Sequence, residues 1–251
     1  LKDIFQEFQM FKYYFFGLIV ILGLSPVIAA EPQKQLRVPH IADAAPFMII
    51  NEQQQPVAGL LFELYQRLSE QLGLTLYIEA VPRKLVGKVL LKGDIDLYCN
   101  AAPEWFPEPE FRWSPPLFIH RDVVVSRQYY PDIATFLQRA QGRIGTTYEY
   151  IYPTLSWLFQ TGRLERVDNF SPRESLRLLQ AGLLDTVVVS ELELNYFLHD
   201  RQGLSSLVIA QDEIRCIYAP HLSDSQIQQF NAQFSNMVKR GELIRIIEKY
   251  Q

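Results

Sequence analysis

Apolar residues fall along this chain in two rhythms. After Gly59, Leu61, Leu64, Leu68 and Leu72 recur at helical spacing and the stripe stops at Gly73; this predicts an amphipathic helix closed by a glycine. Leu74 to Val81 instead alternates and is rich in β-forming residues, so it reads as a strand. Upstream, Leu36-Arg37-Val38 begins a short strand that runs into Pro46-Phe47. Downstream, Pro82 to Leu91 carries Leu85, Val86, Val89 and Leu90 on one helical face, and Ile95 to Cys99 is a third strand. The order is β-α-β-α-β. The same order returns later, as strand Arg143-Ile144-Gly145, helix Pro153 to Phe159, strand Leu164 to Val167, helix Pro172 to Leu179, and the buried apolar strand Asp185 to Val189.

The two halves share a written pattern. Leu90, Gly93 and Asp96 map onto Leu179, Gly182 and Asp185 with one constant offset, and Pro82-Arg83 and Pro172-Arg173 open the matching helices. Proline in the first turn and glycine at the end is the grammar of a short helix. Gly-bounded βαβ units are common, so the repeat alone does not establish duplication. It does suggest two similar α/β lobes, and two such lobes facing each other would make a cleft. Val123-Val124-Val125 is a candidate strand crossing between them, and Ile214 to Tyr218 a return crossing. The last stretch carries Ile227, Phe230, Phe234 and Val238 at helical spacing, breaks at Gly241 and resumes through Ile246 and Ile247. With two crossings, the first lobe is built from both ends of the chain.

Composition then narrows the function. The chain has 251 residues, 48% hydrophobic and 21% charged, with a net charge of −4. This is ordinary globular composition, and the acidic balance argues against a nucleic-acid partner. Tyr13 to Leu24 is nearly all apolar, Lys12 precedes it, and Val27 and Ala29 supply a small-residue cleavage pattern. Residues 1–30 are therefore expected to be a signal peptide, with Met10 a tidier start than Leu1 and the cut after Ala29 or Ala30. Export allows Cys99 and Cys216 to be either a disulfide or two buried thiols, and spacing does not choose. His40, His120, His199 and His221 are scattered without metal-ligand spacing, and no G-x-S-x-G, C-x-x-C or glycine-rich phosphate loop occurs. No catalytic residue, metal or cofactor is assigned.

Gly59-Leu60-Leu61-Phe62-Glu63-Leu64, Leu91-Lys92-Gly93-Asp94-Ile95-Asp96-Leu97, Trp113-Ser114-Pro115, Gly182-Leu183-Leu184-Asp185, and Val238-Lys239-Arg240-Gly241 through Lys249-Tyr250 follow one another in this order. Together these segments resemble the bacterial extracellular solute-binding proteins of family 3, the amino-acid type. The resemblance implies a two-lobed type II periplasmic-binding fold, each lobe a βαβαβ unit, joined by two hinge crossings near Asp122 and Glu213. Lobe I would be 31–121 with 213–251, and lobe II 122–212. It implies a periplasmic monomer, not an enzyme, that captures a small-molecule ligand for an inner-membrane transporter permease or a sensor. A lyase-like periplasmic enzyme on the same fold and a non-binding interaction module are the competing classes. The family topology also sets the return strand beside the third strand, which favours a Cys99–Cys216 bridge.

Two departures weaken an amino-acid ligand. Aligning the family's carboxylate-binding arginine segment on Cys99 to Phe118 puts Pro107 at the arginine, and the acidic partner for an ammonium falls on Ser190. Glu191 is adjacent, but on a strand it would face the other way. The cleft candidates are these. Phe47 sits where the family puts an aromatic against the ligand, or else packs in the core. Asn100, Ala101, Glu104 and Trp105 follow the third strand. Arg83 is unfavourable for a helix start and either takes over anion recognition or is a solvated charge, with Arg173 as its weaker counterpart. Thr146, Thr147 and Tyr148 would hold an anion if they head a helix, and Ser190 offers a hydroxyl.

Overall fold

The computed structural model describes residues 34–42 and 44–251; the expected signal peptide at 1–30 lies outside them. Strand β1 (Gln35–His40) leads into the small hairpin of β2 (Ile49–Ile50) and β3 (Pro56–Ala58). Helix α1 (Leu60–Leu72) follows, burying Leu60, Leu61, Leu64, Tyr65 and Leu68 on its predicted stripe. Strand β4 (Thr75–Ala80) then pairs in parallel with β1. After Pro82 the chain makes a single tight turn, Arg83–Leu85, before α2 (Val86–Lys92).

Strand β5 (Leu97–Ala101) is wholly buried and starts two residues later than the sequence suggests. The reason is Asp96. Its backbone N–H donates to the Arg37 carbonyl at 2.8 Å and its carboxylate accepts the Arg37 backbone N–H at 2.7 Å. That residue is thus tied to β1 before the strand joins its own neighbour. Next come β6 (Arg112–Trp113) and the long β7 (Phe118–Ser126).

The second half runs α3 (Ile133–Arg139), β8 (Gly142–Thr147), α4 (Ser156–Gln160), β9 (Leu164–Asn169), α5 (Pro172–Gln180), β10 (Thr186–Ser190) and α6 (Glu191–Phe197). Strand β11 (Ser205–Tyr218) returns, and α7 (Asp224–Lys239) and α8 (Glu242–Glu248) close the chain with Gly241 between them. A seven-stranded sheet has the order β5-β11-β7-β10-β8-β9, with β6 also on β11. Strands β7 and β11 are antiparallel from Ser126 opposite Ser205 to Phe118 opposite Ile214. Both are longer than the short apolar runs that announced them, because each continues from one lobe into the other.

Each lobe has its own apolar core. Residues of β1, α1, α2, β5, β11, α7 and α8 share one cluster, centred on Leu36, Leu64, Tyr65, Leu90, Leu97, Tyr218 and Phe234. In the other lobe the valine runs serve two faces. Val124 and Val188 pack with Phe136, Ile144 and Leu158, whereas Val123, Val125, Val187 and Val189 pack with Leu176, Leu179 and Leu194. Alternation along a strand sends successive side chains to opposite faces, and a sheet covered on both sides reads as continuous valine. The architecture is the two-lobed α/β fold with two crossing strands.

Cys99 on β5 and Cys216 on β11 form a disulfide, both fully buried. It lies where the β5–β11 register shifts between Arg215 and Ile217.

Candidate functional site

The strands of both lobes end at one small cavity of about 40 Å3. From the first lobe come Phe47, Arg83, Asn100 and Trp105; from the second come Thr147, Tyr150, Tyr152, Val189, Ser190 and Glu193. His120 and Asp122, both on the crossing strand β7, complete the wall. Phe47, Arg83, Thr147 and Ser190 lie at or beyond the carboxyl ends of β1, β4, β8 and β10, the place where open α/β sheets hold ligands.

Local structure explains how these side chains are aimed. Phe47 is held because α1 folds back on it, the Leu61 N–H donating to the Phe47 carbonyl at 2.8 Å. That return needs a glycine: at Gly59, φ is 115° and a Cβ would sit 2.6 Å from the Phe47 oxygen. Phe47 is both core and cavity wall, 4% exposed. Asn100 is buried at the end of β5, and its Oδ1 has no hydrogen-bond partner among the described residues. Trp105 follows in a tight turn and meets the His120 ring edge-on at 5.7 Å.

Ser190 is the cap of α6, not merely the end of a strand. Its Oγ accepts the Glu193 N–H at 3.2 Å, while its own backbone N–H donates to Glu193 Oε2 at 2.9 Å. This reciprocal cap turns the chain into a helix at once, so the acidic side chain reaching the cavity is Glu193 rather than Glu191. Glu191 instead pairs with Arg121 at 2.8 Å.

The cavity is rich in charge. Burial lifts the Glu193 carboxyl above the usual range, although the Ser190 hydrogen bond, His120 and Arg83 pull it back. Burial alone would lower His120, yet Asp122, hydrogen-bonded at 3.2 Å, together with Glu193 and Asp212 raises it. Arg83 behaves likewise. Burial works against its charge, but Tyr150, Tyr98 and Glu193 leave the guanidinium more firmly protonated than usual. Among the described residues no carboxylate forms an ion pair with Arg83; its hydrogen-bond partner is the Tyr150 hydroxyl.

Of the residues singled out from sequence, Phe47, Arg83, Asn100, Trp105, Thr147 and Ser190 line the cavity. Five others lie elsewhere. Ala101 is fully buried in the first core, and Glu104 is exposed on its turn. Thr146 points away and donates to Asp168 at 2.7 Å. Tyr148 is half exposed with its ring 5.8 Å from Phe170. Thr146 and Thr147 end β8 and do not head a helix. Arg173 lies over the Phe197 ring at 4.8 Å, outside the cavity.

Sequence reasoning missed His120, Asp122, Tyr150, Tyr152, Val189 and Glu193. Ser190-Glu191-Leu192-Glu193 carries the capping signature that would have found the last, and a spacing of two on a strand places His120 and Asp122 on one face. The tyrosines stand in a loop with no local signal. Among the described residues no group of three or more His, Cys, Asp or Glu side chains is placed to hold a metal ion.

No family model matches this chain, and no curated protein does. Solved structures do resemble it. An ancestral amino-acid-binding protein described as a precursor of cyclohexadienyl dehydratase has a TM-score of 0.67 at 15% identity, over 86% of this chain and 95% of its own. The GluR0 ligand-binding core, solved with L-glutamate, has 0.68 at 11% identity, over 86% and 97%. A histidine kinase sensor domain with similarity to periplasmic binding proteins has 0.65 at 19% identity, over 87% and 96%. At these identities the likeness shows the fold: this chain has the two-lobed architecture of periplasmic binding proteins.

Proposed function

We propose that this chain is a periplasmic solute-binding protein that closes its two lobes on a small polar metabolite. The observation that carries this is the chemistry of the cavity. Among the described residues it holds a partly buried cation without a carboxylate partner, Arg83, and a buried acceptor without a donor, the Asn100 oxygen, between aromatic walls from both lobes. Buried polar groups are normally satisfied, so a ligand bringing an anionic group and an N–H or O–H donor completes the site. Glu193 offers a further acceptor on the opposite lobe. The contacts that looked lost at Pro107 and Ser190 thus have substitutes in Arg83 and Glu193, and amino acids return as candidates.

The closing motion is assigned to β7 and β11 near Asp122 and Glu213, dividing the chain into 31–121 with 213–251 and 122–212. The captured solute is delivered to a membrane transporter or reported to a sensor. The neighbours named above include both a binding protein and a sensor domain. A lyase-like enzyme is the second reading, favoured by the partly buried His120–Asp122 pair on the cavity wall.

Thermal unfolding of residues 31–251 against amino acids, carboxylates, polyamines and short peptides tests the proposal. A ligand that binds only the folded state adds about 2.7 kcal/mol at a hundredfold excess over its dissociation constant. The expected result is a raised midpoint with one anion-bearing class, and none with that class in Arg83→Ala. A flat panel would sink the reading, and turnover of the bound compound would shift it to the enzyme.

A further inference from the structure

Two consecutive cations meet two consecutive residues of the facing lobe. Arg83 and Lys84 occupy the tight turn after Pro82, where the positive end of a helix makes cations unfavourable. Across the cleft stand Glu149 and Tyr150. The Arg83 guanidinium lies 4.1 Å from the centre of the Tyr150 ring and donates to its hydroxyl. Lys84 Nζ is 2.8 Å from the Glu149 carboxylate and 5.8 Å from the Tyr148 ring.

The facing loop is built to present these groups. Glu149 has φ of 67°, a left-handed conformation that non-glycine residues seldom adopt. Arg166 fastens the loop from beneath, donating to the Tyr150 carbonyl at 3.1 Å, and the Tyr152 hydroxyl accepts the Thr147 N–H at 3.1 Å. The rings of Tyr150 and Tyr152 stack at 6.2 Å. Strained backbone that is held by its surroundings is a common mark of a functional segment.

From this geometry we infer that Arg83-Lys84 and Glu149-Tyr150 form a latch that holds the lobes together without a solute, with Tyr150 as an internal stand-in at the Arg83 guanidinium. The closed cavity, about 40 Å3, has space for little more than a water molecule or two. Entry of a solute therefore requires the latch to open, and an anion must displace a neutral phenol from Arg83. Tyr150 is then a specificity-determining residue: it sets the threshold that weak anions fail to cross. The latch itself stands on the cross-lobe contacts and does not depend on the ligand reading; the role of Tyr150 in selection does.

Small-angle scattering of the ligand-free chain tests the latch directly, since opening raises the radius of gyration. Lys84→Glu with Tyr150→Phe should expand the protein, and the wild-type value should drift upward with added salt. Adding Glu149→Lys to Lys84→Glu reverses both charges and should restore compactness. Lys84 is exposed, so the Lys84→Glu single variant separates opening from misfolding, with far-ultraviolet circular dichroism confirming the fold. An unchanged radius in folded Lys84→Glu/Tyr150→Phe, or expansion that the charge reversal leaves untouched, overturns the latch. A flat ligand panel with these scattering changes intact would remove only the solute-binding reading.

Discussion

Removing the Cys99–Cys216 disulfide gives the most quantitative prediction. The bridge joins residues separated by 117 positions. Closing a loop of that size removes chain entropy from the unfolded state equivalent to about 5 kcal/mol at room temperature. For a domain of this size each kcal/mol moves the midpoint by about 2–4 °C, so Cys99→Ala/Cys216→Ala should melt roughly 10–20 °C below the parent. Residual structure in the unfolded chain reduces that figure, while the small void left by the sulfurs adds to the loss. Both sulfurs belong to fully buried residues, so reductant reaches the bridge only through unfolding and the double variant is the cleaner perturbation. The assay is thermal unfolding of parent and variant, followed by circular dichroism. A shift under about 3 °C would refute the entropic reasoning. Free thiol in the denatured, unreduced parent would refute the bridge.

Three further outcomes follow from the cavity. Asn100→Leu removes an unsatisfied buried oxygen that costs about 1 kcal/mol or more, so the ligand-free midpoint should rise by roughly 2–4 °C while any solute-induced shift shrinks; a lowered midpoint would contradict this. His120 binds its proton more tightly folded than unfolded. Its stabilisation is complete below its ordinary value near 6.5 and is lost as pH rises through the higher folded value. His120→Gln should lack that decline in chemical denaturation at stepped pH. Glu193 also has a raised folded value, so its ionisation costs stability at neutral pH and nothing well below its ordinary value near 4.5. Glu193→Gln should therefore stabilise at pH 7 and be neutral near pH 4, and equal effects at both would disprove the assignment.

The elements were legible where periodicity is strong. Leu61, Leu64, Leu68 and Leu72 announced α1, and the valine runs announced strands covered on both faces. What escaped was set by local hydrogen bonding and by contacts remote in sequence. Asp96 delays β5 because it bonds to Arg37, fifty-nine positions away. Ser190 starts a helix at the last residue of a strand, so a two-fold rhythm carried past it points Glu191 wrongly and hides Glu193. The aromatic loop after β8 has no period at all; Tyr150 acquires its place only when Arg83 arrives from the other lobe. Arg83 itself was visible as an oddity, a cation at a helix start with no local reason. Its reason is across the cleft.

A solute-binding protein holds one solute in its cleft and returns it unchanged. Equilibrium dialysis of residues 31–251 against the mixed metabolite panel, with mass spectrometry of both chambers, tests that most directly. The expected result is enrichment of one anion-bearing compound at one per chain, recovered intact, with no enrichment by Arg83→Ala. Equal concentrations in both chambers for every compound, or enrichment that survives Arg83→Ala, would contradict it.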